Sequence, residues 1–139
     1  MNRNTARDSM TIEQLQLILQ TEGYISNVDN DGDLHFKAQG RHLFARVDEK
    51  DPDFVVIFGD FCLDTEGTKE EIDALRAASK AERTLKCVKC MLLRADEDGF
   101  HFRVAVECFT DAENLARSIG RHIDIVCSAT YRILNALSE

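Results

Sequence analysis

A chain of 139 residues with 44% hydrophobic and 30% charged residues has the composition of one soluble globular domain. At this length a core can bury roughly two-thirds of the unfolded surface, so no disulfide or metal staple is required. The net charge of −8 disfavours nucleic acid as partner, because phosphate binding relies on clustered Lys and Arg, and no apolar run is long enough to span a membrane.

Residues 1 to 10 are expected to be a flexible end ahead of a single domain over 11–139. The opening stretch from Met1 to Ser9 is polar and lacks the apolar run of an export signal. Thr11 and Gln14 have the spacing of a capping box, in which a hydroxyl and an amide each satisfy a free backbone group. They predict a helix over Ile12–Glu22, with Ile12, Leu15, Ile18 and Leu19 on one stripe and Gly23 as its stop. Strands over Tyr24–Val28 and Leu34–Gln39 flank the turn Asp29-Asn-Asp-Gly-Asp33. In the second strand Leu34, Phe36 and Ala38 alternate with His35 and Lys37. Gly40 turns the chain into a third strand, His42–Val47, and Asp48 to Pro52 reads as a loop. Phe54–Phe58 is an unbroken apolar run of strand length, the pattern of a strand covered on both faces.

Thr68 and Glu71 repeat the box spacing and predict a helix over Lys69–Glu82. Its core stripe would be Ile72, Leu75 and Ala78, with Ala74 and Ala81 beside it. A β-hairpin follows. Its arms are Cys87–Leu93 and Phe100–Phe109, separated by the polar break Arg94–Gly99. The second arm places Phe100, Phe102, Val104, Val106 and Cys108 on one face, and Gly99 offers the positive φ of a tight reversal. Thr110 and Glu113 predict a last helix over Asp111–Leu137, carrying Leu115, Ile119, Ile123, Val126, Ile133, Leu134 and Leu137 at helical spacing. Some 27 residues would span roughly 40 Å, more than a small sheet needs. Part of the stripe is therefore expected to meet a partner, with Ile119, Ile123, Val126, Thr130 and Ile133 as interface candidates. The competing reading is that the same residues cover the sheet.

The chemistry-bearing residues are few. Cys62, Cys87, Cys90, Cys108 and Cys127 are odd in number and sit mostly at apolar positions, as small buried hydrophobes of a reduced cytoplasmic protein do. Cys87-x-x-Cys90 has the spacing of a redox pair or zinc knuckle, but residues three apart in a strand point to opposite faces, and no second such pair exists. Asp29, Asp31, Gly32 and Asp33 resemble a calcium loop, yet a loop started at Asn27 puts Ala38 where the bidentate glutamate belongs. A hairpin turn explains them more simply. His35 and His101 fall on outward strand faces, His42 adjoins Arg41, and nothing local pairs a histidine with Cys62. There is no phosphate loop, dinucleotide fingerprint or nucleophile elbow. No catalytic, cofactor-binding or metal-ligating residue is assigned. The competing class is a small cysteine- or metal-dependent enzyme using Cys62 or the histidines.

Thr11–Tyr24, Asp31–Lys37, Val47–Phe54, Leu85–Leu92 and Asp98–Phe102 together resemble the YbjN family of bacterial proteins over residues 11 to 137. Its members are often labelled sensory transduction regulators and share the fold of type III secretion chaperones. The resemblance implies an α+β fold, a twisted antiparallel sheet with helices packed on it in the order α-β-β-β-(β)-α-β-β-α. It also implies a homodimer with a non-enzymatic role in binding or regulating other proteins, and no cofactor. One departure is Ala77–Thr84, where members often have an asparagine-rich helix end. With the acidic charge, the expected function is a cytoplasmic, dimeric binding module taking basic or amphipathic protein segments, for instance by addition to an exposed strand edge.

Overall fold

Three helices lie against one face of a six-stranded antiparallel sheet in the computed structural model, which describes residues 10–138. The elements are α1 (Ile12–Thr21), β1 (Asn27–Val28), β2 (Leu34–Ala38), β3 (Arg41–Asp48), β4 (Asp51–Leu63), α2 (Glu71–Thr84), β5 (Val88–Asp96), β6 (Gly99–Phe109) and α3 (Ala112–Leu137). This is the α+β order expected from the sequence. The sheet order is β1-β2-β3-β4-β6-β5. The chain leaves β4 through α2, enters the sheet at its far edge as β5, and returns as β6 to lie between β5 and β4.

Local signals set the helix starts, with two corrections. Thr11 Oγ1 accepts from the Gln14 N–H at 3.1 Å and Gln14 Oε1 accepts from the Thr11 N–H at 3.0 Å, completing the expected box. The Thr68–Glu71 box does not form. Thr68 donates its hydroxyl to the Thr65 carbonyl at 2.7 Å, and α2 starts later, with the Glu70 N–H donating to Asp73 at 2.8 Å. At α3 the cap is Asp111, accepting from the Asn114 N–H at 2.9 Å, while the Thr110 N–H is taken by the Asp53 carbonyl at 2.7 Å. The expected first residues of the chain's flexible end, 1–9, lie outside the described residues, and Met10 is buried in the core.

β4 is longer than expected. It runs 13 residues through the presumed loop end at Pro52 and on past Phe58. Its odd-numbered positions Val55, Ile57 and Phe61 join the core under the helices, but Phe54, Val56 and Phe58 point to a face that no helix among the described residues covers. The apolar run is thus not a strand sandwiched between two layers.

α2 turns a different side to the core from the one expected. Ala74, Ala77, Ala78 and Ala81 are buried, whereas Ile72 and Leu75 are exposed. The four alanines sit at i, i+3, i+4 and i+7, so they form one stripe that permits close approach to α3 and β5. α3 runs 26 residues, about 39 Å. Its stripe is buried from Leu115 to Leu137, between the sheet, α1 and α2. Ile119, Ile123, Val126 and Ile133 are completely buried and Thr130 is 2% exposed. These interface candidates therefore cover the chain's own sheet. Each such aliphatic side chain contributes about 1.5–3 kcal/mol by burial.

Candidate functional site on the open sheet face

The second face of the sheet is built by the residues that alternate with the core. Register places Phe44 opposite Phe58, Phe58 opposite Ala105, Val56 opposite Glu107 and Phe54 opposite Phe109. The result is an apolar band crossing β3, β4 and β6, extended onto β5 by Met91 opposite Arg103. Phe44 and Phe58 stack at 5.3 Å, and Phe54 and Phe109 pair at 5.3 Å in a tilted arrangement. Phe58 is only 3% exposed although no helix reaches it. The guanidinium groups of Arg46 and Arg103 cover its ring at 4.9 and 4.5 Å.

Both arginines are fixed by carboxylates. Arg46 donates to Asp33 through two hydrogen bonds of 2.8 Å, and Arg103 donates to Asp60 at 2.7 and 2.8 Å. These hydrogen bonds hold both guanidinium pKa values above their ordinary value. Between them lies a groove of about 550 Å³ floored by Val56, Phe58, Met91 and Ala105, with Asp31, Asp48, Glu49 and Glu107 at its rim. At one end stands Phe109, 75% exposed, an unusual position for a large aromatic side chain.

The strand edges are guarded. β1 has two residues. β5 carries a register shift between Leu92 and Arg94, and its Cys90 N–H already donates to Glu82 Oε2 at 2.9 Å. A bulge and an occupied donor both work against addition of a further strand.

At the opposite end of the same face the structure brings together residues that are far apart in the chain. Cys62 on β4 and His101 on β6 are register partners. His101 Nε2 is 3.7 Å from Cys62 Sγ and 2.9 Å from Asp96 Oδ1, while the Cys62 thiol donates to the Asp98 carbonyl at 3.3 Å. A nucleophile–base pair needs one imidazole nitrogen for the thiol and the other for the orienting carboxylate. Here one nitrogen faces both. Burial, followed by Asp96 and Asp98, also raises the Cys62 pKa, the reverse of activation. The geometry is not that of a thiol-based triad. Asp96 in turn is held below the ordinary carboxylate range, first by its hydrogen bond from His101. The donor atoms of Asp96, Asp98 and His101 lie within 4.8 Å of one another.

The remaining sequence candidates resolve locally. Asp29 Oδ1 accepts from the N–H groups of Asp31 and Asp33 at 2.9 and 3.0 Å, so the acidic stretch closes a hairpin turn. Cys87 is exposed just before β5 and Cys90 is buried within it; among the described residues all five thiols are free. His35 and His42 have ring centroids 4.9 Å apart, with Nε2 of the first 2.7 Å from Nδ1 of the second, a side-chain hydrogen bond between neighbouring strands. No helix among the described residues is long and apolar enough to cross a membrane.

No family model matches the chain, and no curated protein does. Solved structures share its fold, including two at low sequence identity. One is YbjN from E. coli, described as a proposed transcription regulator, with a TM-score of 0.70 and 14% identity over 94% of this chain and 93% of that one. The other is an uncharacterized protein from Methanothermobacter thermautotrophicus, with a TM-score of 0.61 and 15% identity over 90% of this chain and 97% of that one. The resemblance read from the sequence is thus found at the level of the fold.

Proposed function

We propose that the chain is a non-enzymatic protein-binding or regulatory module of the cytoplasm, and that its open sheet face takes an amphipathic segment of a partner protein. The observation that carries this reading is the aromatic band across β3, β4 and β6, which no element among the described residues covers and which ends in the exposed Phe109. Apolar residues of the segment would sit on the half-buried Phe54, Val56 and Met91. Its basic residues would meet Asp31, Asp48 and Glu49. The guarded edges favour the face over strand addition, and the net charge of −8 favours protein over nucleic acid. The homodimer expected from the resemblance would use this same face, because the α3 stripe is occupied by the core.

The test places a photo-crosslinking residue at Met91 and, as control, at Ile72 on α2, in the full chain expressed in its own host. A partner protein joined at Met91 and not at Ile72, and lost with Val56→Arg at unchanged melting temperature, supports the reading. Capture that is indifferent to Val56→Arg overturns it. Light-scattering mass on the same samples decides the dimer: a dimer that Val56→Arg converts to monomer is the expected result.

A further inference from the structure

We propose that the groove between α2 and α3 is a docking site for an acidic, extended segment of a partner protein. Two adjoining hollows of about 300 and 210 Å³ lie along these helices and share Ala77, Lys80 and Ala136. Lys69, Arg76, Lys80 and Arg132 stand at their walls, against a single carboxylate, that of Asp73. In a chain of net charge −8 this is a reversal of sign, and the groove on the open sheet face has the opposite balance.

The four cations are not engaged elsewhere. None of them forms an ion pair among the described residues. Arg132 reaches the Thr84 hydroxyl at 3.4 Å, a long and weak contact. The Asp73 carboxylate is already occupied, accepting from the Glu70 N–H at 2.8 Å to cap α2. α3 ends at Leu137, and its carbonyl end accounts for a cation beside it such as Lys69. Arg132 lies more than a turn before that end, and it shares with Lys80 the larger hollow, which Leu137 does not line.

The walls set the shape of the ligand. Small side chains at Ala77, Ala81 and Ala136 leave room for a chain lying along the groove. Arg76 and Lys80 are about one turn apart on α2, roughly 6 Å. Side chains on one face of an extended peptide repeat every ~6.6–6.8 Å, so carboxylates at alternate positions match them. Arg132 meets the same chain from the α3 side. No aromatic side chain among the described residues lines either hollow, so nucleic-acid bases find no platform to stack on. The donors are on long side chains, which hold a lone small anion weakly but act together on a segment carrying several charges. The groove belongs to the helix layer, so this inference does not rest on the reading of the open sheet face.

The test measures the fluorescence anisotropy of a dye-labelled peptide of alternating Glu and Ser with the purified full chain. Saturable binding is expected at low salt and should vanish near ~0.3 M, where exposed charges are screened. Arg76→Gln combined with Lys80→Gln should weaken it by about fivefold or more, and Arg132→Gln alone should weaken it less. All three positions are exposed, and each variant is checked for native circular dichroism. Lys37→Gln, on the open face, should leave binding unchanged. No binding, binding that none of the groove variants weakens, or an equal loss in Lys37→Gln overturns the proposal. So does a thymidine oligonucleotide that binds more tightly than the peptide, which makes the groove a nucleic-acid site. Inorganic phosphate that displaces the peptide at equal concentration also overturns it, in favour of a small-anion site. A light-scattering mass that is dimeric for the native chain and monomeric for the double variant overturns it in favour of a second copy.

Discussion

Arg46 donates to Asp33 through Nε and Nη2, each at 2.8 Å, and lays the same guanidinium 4.9 Å from the centre of the Phe58 ring. One side chain thereby neutralises a carboxylate that is 4% exposed and covers an aromatic ring that no helix reaches. It ties the β1–β2 turn to the centre of the open face.

Arg46→Ala leaves the Asp33 carboxylate buried without its partner. Breaking a fully buried pair costs about 3–5 kcal/mol. The Arg46 side chain is 44% exposed, so solvent screening lowers the expectation to about 2 kcal/mol, or roughly 8 °C in melting temperature. Arg46→Lys should recover only part of the loss, because an ammonium can neither pair in parallel nor stack as a plane. Thermal unfolding at neutral pH checks both, and an Arg46→Ala melt equal to the native one would refute the assignment.

Gly99 is needed twice over. Its φ is +124°, and an added Cβ would lie against the Leu63 carbonyl, 2.7 Å from its carbon. Gly99→Ala should cost about 2–3 kcal/mol through strain and a backbone shift at the β5–β6 turn. Gly32→Ala is the comparison. It has a φ of +84° but open space around it, so about 1 kcal/mol is expected from the backbone alone. Urea midpoints of the two variants should differ in that order.

His122 makes the stability sensitive to acid. Its Nδ1 is buried with no hydrogen-bond partner among the described residues, and burial, followed by Arg121, lowers its pKa below the ordinary 6.5. The folded state therefore resists protonation while the unfolded chain accepts it. Stability should be full above about pH 6.5 and fall as the pH drops from there through the folded value. His122→Leu should lose less stability than the native chain between pH 7 and pH 5, as read by denaturant midpoints at each pH.

The thiols should separate by position. Cys87 is exposed and should be alkylated in the native protein, whereas Cys90 and Cys127 are buried and should react only on unfolding. Burial, with Glu82 adding to it, pushes the Cys90 thiol up to about 11 from 9.0. Between those values the folded chain keeps a proton that the unfolded chain has lost. Cys90 should thus contribute stability up to about pH 9 that disappears as the pH rises towards 11. Peptide mapping after pulsed labelling, and the same mapping with Cys90→Ala as control, checks both statements.

Several features were legible because they depend on neighbours along the chain. The period of two over Phe100–Cys108, the Asp-Gly reversal and the Thr11 capping box all appear where expected. The displaced caps at Glu70 and Asp111 show how close the competition is, since each lies one or two residues from another capable side chain. α2 misled for a different reason. Ile72 and Leu75 are more hydrophobic than alanine, but the narrow space beside α3 and β5 admits only the alanine stripe.

The site was less legible. That Phe54, Val56 and Phe58 share a face follows from alternation, but alternation does not say whether a second layer covers that face. Cys62 and His101 stand 39 positions apart and meet only because β4 and β6 pair in one register.

By itself the sequence determined the number and kind of the elements, the first helix cap, the turns, and which residues of each strand share a face. These follow from steric and hydrogen-bonding preferences acting over a few residues. Only the tertiary structure decided that β6 enters between β4 and β5, that α3 uses its whole stripe on its own sheet, and that the aromatic face stays open. Those outcomes depend on packing between segments distant in the chain, where space and register choose among surfaces that composition leaves equivalent.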